Sequence, residues 1–194
     1  MNDAARIDGF DYRTPAHAEG SALAAMARRC FAETFGHLYD HADLDPFLDQ
    51  AYGPQGLLAE MDDPQTEFRI ACRDGAVVGY AKLSPLHAPA QDARSGALEL
   101  RQIYVLAEWQ GAGVAPTLME WAIARATARS APELYLTVFD HNHRAKRFYA
   151  RHGFSESGRC TFRMGTRIDD DRIWRKPLDA QALPLYPALP QTAP

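Results

Sequence analysis

Apolar positions along the chain repeat with two periods, and the places where the period changes divide it into elements. In Ala16 to Phe35, Leu23, Met26, Ala27, Cys30 and Phe31 fall on one face at helical spacing, and the Ala, Leu and Met content supports a helix. Thr66 to Cys72 and Ala76 to Leu83 are β-rich runs separated by Arg73-Asp74-Gly75, and Asp-Gly is hairpin chemistry. Leu98 to Leu106 has the aliphatic and aromatic density of a central strand. Pro116 to Arg129 then reads as a helix, Leu134 to Phe139 as a strand, and Asn142 to His152 as a helix stopped by Gly153. Ser157 to Arg167 and Asp171 to Lys176 form a closing hairpin.

The remaining segments are weaker. Ala5 to Tyr12 predicts one edge strand, weakened by Gly9 and ended by Pro15. Asp45-Pro46 predicts the start of a short helix, since Asp is a good N-cap and Pro fits a first turn, and Gly53-Pro54 separates it from Gln55 to Met61. Ser84 to Gly96 carries Pro85 and Pro89 with few apolar anchors, which describes a loop. The order β-α-α-β-β-β-α-β-α-β-β implies an α/β fold, one mixed sheet with helices on both faces. Inside the central strand, Leu98 and Leu100 share one parity whereas Ile103 and Val105 share the other. That change of phase means burial on both faces or a β-bulge near Arg101 and Gln102.

Length and composition narrow the class. At 194 residues, with 46% hydrophobic and 24% charged residues, the chain fits one globular domain over 1–178. The 179–194 tail, with Pro184, Pro187, Pro190 and Pro194, reads as extended or disordered. No apolar run approaches the ~20 residues a bilayer span needs, and Met1-Asn2-Asp3 begins no signal peptide, so cytoplasm is the expected location and no membrane partner is expected. Cys30, Cys72 and Cys160 are widely spaced and read as reduced thiols. The net charge of -4 gives no global basic field for nucleic acid. Charge is nevertheless segregated: 30–68 has acids from Glu33 to Glu67 and no Lys or Arg, whereas 142–152 has Arg144, Lys146, Arg147 and Arg151 and no acid. One end of the fold can favour a cation and the other an anion; two solvated helix faces are the alternative.

Gln110-Gly111-Ala112-Gly113-Val114-Ala115 lies between the central strand and the next helix. Small residues admit a ligand close to the backbone, and the first N–H groups of a helix attract phosphate. The spacing matches neither a P-loop nor a dinucleotide fingerprint; what remains is Q-x-x-G-x-A, against the alternative of a plain strand-to-helix connection. His37 with His41, and His141, His143 and His152, lack matching carboxylate or Cys spacing, so no metal is expected.

Q-x-x-G-x-A after a strand resembles the coenzyme-A-binding signature of the GNAT acetyltransferase superfamily. Asn142-x-x-Ala145-x-x-Phe148-Tyr149 followed by Gly153-Phe154 is similar to its second acetyl-CoA motif. The resemblance implies a GNAT fold, with a mixed, mostly antiparallel central sheet of six to seven strands, and it favours the bulge. It implies acetyl-CoA as co-substrate. Main-chain N–H groups of Gly111, Ala112, Gly113, Val114 and Ala115 would hold the pyrophosphate, with Gln110 bracing the turn. Ala112, where a basic residue is common, and Pro116 depart from the pattern. The pantetheine arm would lie along Ile103, Tyr104 and Val105, bonded to the main chain at Ile103 and Val105, with the Ile103 N–H as oxyanion donor. Asn142 would contact the arm, Arg144 or Arg147 would pair with the 3′-phosphate, and Ala145 and Phe148 complete the motif.

By the same resemblance Tyr149 matches the general acid; packing of Phe148-Tyr149 into the core is the alternative. Glu99, eleven residues before Gln110, holds the offset of a general base in some relatives. A strand carboxylate paired with an Arg, with a water relay as base, is the other reading. F-A-E-T-F-G-H-L-Y, G-Y-A-K-L and L-E-L-R-Q-I-Y-V-L resemble a bacterial branch that includes polyamine (spermidine/spermine) acetyltransferases, which makes Glu33, Tyr39 and Asp40 acceptor candidates. The expected activity is acetyl transfer from acetyl-CoA to a primary amine of a small molecule. Acetylation of a protein N-terminus or lysine, or a non-catalytic acyl-CoA-sensing module, are the alternatives, and a homodimer stays open.

Overall fold

A computed structural model describes residues 5–178 of the chain, and the proline-rich 179–194 segment lies outside the described residues. Strands β1 (Ala5–Ile7) and β2 (Phe10–Arg13) replace the single edge strand. Asp8 and Gly9, at φ of 50° and 81°, turn the chain between them, and two left-handed residues in succession make a tight hairpin. The sheet therefore has eight strands rather than six or seven.

Helix α1 (Gly20–Phe35) buries the expected stripe of Leu23, Met26, Ala27, Cys30 and Phe31. Helix α2 (His41–Tyr52) starts ahead of Asp45-Pro46 because the Asp40 carbonyl accepts the N–H groups of Asp43 and Leu44, at 3.0 and 2.9 Å. Pro46 lies inside it. Helix α3 (Leu57–Met61) leads to β3 (Glu67–Arg73), β4 (Ala76–Pro85) and β5 (Leu98–Val105). Then come α4 (Val114–Ala128), β6 (Glu133–Phe139), α5 (His143–Arg151), β7 (Ser155–Met164) and β8 (Arg167–Pro177). In the closing hairpin the turn falls at 165–166, so β8 begins at Arg167.

The strand order is β1-β2-β3-β4-β5-β6-β8-β7, and β5 with β6 is the parallel pair. On one face α4 packs Leu118, Met119 and Ala122 against Leu98, Leu100, Leu134 and Leu136; on the other, α1 packs against Ile70 and Tyr80. Burial of each large side chain in these layers contributes about 2 kcal/mol.

Two irregularities of β5 shape the site. Lys82 pairs with Gln102 but Leu83 pairs with Leu100, so Arg101 is the extra residue of a β-bulge. The bulge resets the alternation, and Leu98, Leu100, Ile103 and Val105 all reach the core shared with α4. The second irregularity is that β5 and β6 pair only at Leu98 with Leu134 and Glu99 with Tyr135. Beyond those pairs the sheet opens.

Candidate active site

Where β5 and β6 part, a cleft of about 1060 Å³ runs between Leu100–Val105 on one side and Thr137–Phe139 on the other. Main-chain groups on the β6 side of β5 have no ladder partner there, which leaves donors and acceptors for an extended ligand. Ile103 lines the cleft while its side chain packs toward α4. Tyr104 also lines it, edge-on to Tyr80 at 5.6 Å, and burial pushes its phenol up to about 12. The Val105 carbonyl accepts Gln110 Nε2 at 3.2 Å and the Cys30 thiol at 3.6 Å.

The glycine loop closes one end of this cleft. Gly111 and Gly113 have φ of 88° and 83°, which side-chain-bearing residues rarely adopt, and a Cβ on either would meet nothing within 4 Å. Backbone geometry requires these glycines, and the space above them is open. Ala112 donates to the Trp109 carbonyl at 3.3 Å; among the described residues the N–H groups of Gly111 and Gly113 have no partner. Val114 and Ala115 start α4, where no carbonyl one turn back is available to their N–H groups. The loop therefore presents unspent donors at the positive end of a helix.

Helix α5 faces this end. Asn142 is its N-cap and accepts the Ala145 N–H at 3.1 Å. Arg144 donates to Gln110 Oε1, which ties α5 to the loop. Arg147 is exposed and has no ion-pair partner among the described residues. Lys146 and Arg172 instead clasp Asp140, at 2.5 and 2.6 Å, and hold that carboxyl well below the usual carboxylate range. Asn142, Arg144, Ala145 and Tyr149 line the cleft, whereas Phe148 turns away to pack on the core and on the His152 ring at 4.4 Å. Burial raises the Tyr149 phenol above its ordinary value, so it stays protonated, and its hydroxyl has no hydrogen-bond partner among the described residues.

The model of the acetyltransferase (GNAT) family matches residues 22–154, which contain β5, the glycine loop and all of α5. The chain belongs to the GNAT acetyltransferase family. It is 31% identical over 154 residues to an uncharacterised N-acetyltransferase of Lactobacillus delbrueckii subsp. lactis, covering 79% of this chain and 89% of that one. To an uncharacterised N-acetyltransferase of Mycobacterium tuberculosis it is 32% identical over 151 residues, covering 78% and 92%. In fold it is similar to the PaiA N-acetyltransferase of Thermoplasma acidophilum, solved in complex with coenzyme A. The TM-score is 0.70 at 20% identity, and the match covers 87% of this chain and 98% of that one.

This GNAT chain has the features coenzyme A requires: unpaired main-chain donors at a helix start, open space over Gly111 and Gly113, and an open strand edge for an amide-bearing arm. Among the described residues no group of three or more His, Cys, Asp or Glu is placed to hold a metal, and no helix is long and apolar enough to cross a membrane.

Away from the glycine loop, the cleft brings in residues that the sequence did not single out. Glu99 is buried in the cleft wall, and its Oε2 accepts the His87 and Ala88 N–H groups at 2.8 and 2.9 Å; these main-chain donors stand where an Arg partner was the alternative. Tyr39 lines the cleft and donates to Asp169 at 2.6 Å. Glu33 lies outside the lining, bonded to Arg29 at 2.7 Å, and Asp40 lies outside it at the start of α2. Of the acids in the 30–68 segment, the lining takes only Glu60, which is paired with the buried Lys82 at 2.5 Å. Asp171 of β8 completes the acidic lining, and burial pushes its carboxyl up to about 6. Only the shared parity of Asp169 and Asp171 hinted at a common face.

Proposed function

We propose that this acetyl-CoA-dependent N-acetyltransferase acts on a primary amine of a small molecule by direct transfer in a ternary complex, with a polyamine as one candidate acceptor. The observation that carries the reading is the parting of β5 from β6 beside the unspent amides of Gly111, Gly113, Val114 and Ala115, with the Tyr149 hydroxyl, unpartnered among the described residues, in the same cleft. Acetyl-CoA supplies an activated acyl group and a thiol that leaves. The loop amides and Arg147 bind its phosphates; Ile103 and Val105 orient the arm through the main chain. The Ile103 N–H stabilises charge on the acyl oxygen, and the Tyr149 hydroxyl delivers a proton to the departing sulfur. Glu99, directly or through a water, takes the proton the ammonium must lose before its nitrogen attacks. The free thiols of Cys30, Cys72 and Cys160 favour a reducing, cytoplasmic setting.

Thermal stabilisation by acetyl-CoA, followed by thiol release across a panel of amines and amine-bearing peptides, tests the proposal. Stabilisation with release on small primary amines supports it. Release on peptides alone would move the acceptor to protein, and binding without release on any amine would overturn transfer.

A further inference from the structure

Away from the glycine loop, the cleft is walled by phenylalanine rings from four elements. Phe31 of α1 lies 5.1 Å from Phe35 and 5.1 Å from Phe47 of α2. Phe139 of β6 stands edge-on to Phe35 at 6.3 Å, and Phe162 of β7 stands edge-on to Phe47 at 5.5 Å. All five line the cleft, and all but Phe31 are half-buried. Apolar rings left partly exposed in a concavity favour a planar, apolar occupant.

The acidic lining is equally selective. Of the cleft carboxylates, Glu60 is neutralised by Lys82, and Glu99 is held by two main-chain donors. The Asp171 side chain has no hydrogen-bond or ion-pair partner among the described residues, although Asp169 beside it has both. In register, Asp171 sits between Phe139 on β6 and Cys160 on β7, so these flank it on one face of the sheet. The thiol of Cys160, pushed up to about 11, stays neutral and cannot balance a charge there. An ammonium would supply the missing partner, and the neighbouring ring faces would favour a cation as well.

Resting on the acetyl transfer proposed above, we propose that the preferred acceptor is a primary amine joined by a short chain to an aromatic body. Asp171 receives the ammonium, and the five phenylalanines receive the body. A polyamine would carry further ammonium groups into a ring-lined space where, beyond Asp171, only Glu99 among the lining carboxylates has no ion-pair partner, and Glu99 is held by main-chain donors and serves as the base, so their desolvation is not offset.

The test uses the full chain with acetyl-CoA and compares phenylethylamine, propylamine and spermidine. Phenylethylamine is expected to have the highest kcat/KM, by about tenfold or more over spermidine. Asp171→Asn is expected to raise its KM about tenfold with little change in kcat and none in acetyl-CoA affinity, and Asp171→Glu to recover much of the loss. Phe162→Ala, on the edge strand, is an independent probe: it should raise KM for phenylethylamine and leave propylamine unaffected. Spermidine turning over as well as or better than phenylethylamine overturns the inference and leaves acetyl transfer standing, as does an unchanged KM in both variants. Acetyl-CoA binding with no turnover of any amine overturns both.

Discussion

Gln110 Nε2 donates to the Val105 carbonyl oxygen at 3.2 Å, so the first residue of the glycine loop is tied to the last residue of the bulged strand. The same amide accepts from Arg144, which links β5, the loop and α5 through one side chain. Gln110→Glu keeps the acceptor for Arg144, loses the donor, and sets a negative charge beside the phosphate site. Acetyl-CoA affinity is expected to fall about tenfold, or ~1.4 kcal/mol, by titration calorimetry. Unchanged affinity would remove this bond from the cradle.

Gly113 holds φ of 83° with open space around its α-carbon, so the cost of a side chain there is conformational. Gly113→Ala should lose about 1–2 kcal/mol of stability and weaken acetyl-CoA binding, while Gly113→Asn, which tolerates the left-handed region, should lose less. Denaturant melts of the two variants decide it; equal losses would mean that φ is not what the position demands.

Tyr149 lines the cleft with a protonated hydroxyl that has no hydrogen-bond partner among the described residues. Tyr149→Phe should lower kcat about 100-fold and leave the acetyl-CoA dissociation constant unchanged, because only the proton donor is lost. Wild-type turnover in the variant would take Tyr149 out of the chemistry.

Glu99 receives two main-chain N–H groups at one oxygen, an arrangement that a glutamine oxygen can reproduce. Glu99→Gln should therefore preserve thermal stability yet cut turnover by about 10- to 100-fold, whereas Glu99→Ala should also destabilise the 84–96 loop. If Glu99→Gln is fully active, the residue only anchors that loop.

Burial, Asp169 and Asp170 raise the Asp171 carboxyl to about 6, above its ordinary 3.8. The folded state thus binds this proton more tightly than the unfolded chain. Its stabilising contribution is complete below pH 3.8 and is lost as pH rises through 6. Asp171→Asn should unfold at higher denaturant than wild type at pH 8, with the gap closing toward pH 4 in urea titrations. A pH-independent gap would show that Asp171 is not strained by charge.

Features set by near neighbours in the chain were legible before any coordinates. The stripe from Leu23 to Phe31, the Asp74-Gly75 turn and the parity break between Leu100 and Ile103 each depend on adjacent residues, and each stands in the fold. Asp8-Gly9 carries the same dipeptide signal as Asp74-Gly75, but strands as short as Ala5–Ile7 offer too few positions for an alternation to register. The helix beginning at His41 was hidden for a related reason, since a main-chain carbonyl at Asp40 starts it.

The proposed donor half of the site is one local segment, strand to glycine loop to helix, so its chemistry is written in residues 98–115, with a second motif in α5. The proposed acceptor half is assembled from α1, α2, β6, β7 and β8, and a sequence records the charge of a residue without recording the face it will turn to. Glu33 and Asp40 carry the right charge and point elsewhere; Asp171, far along the chain, reaches the cleft through cross-strand register with Phe139 and Cys160. The parting of β5 from β6 after two pairs is of the same kind, because strand separation depends on how distant segments pack, and no single stretch encodes it.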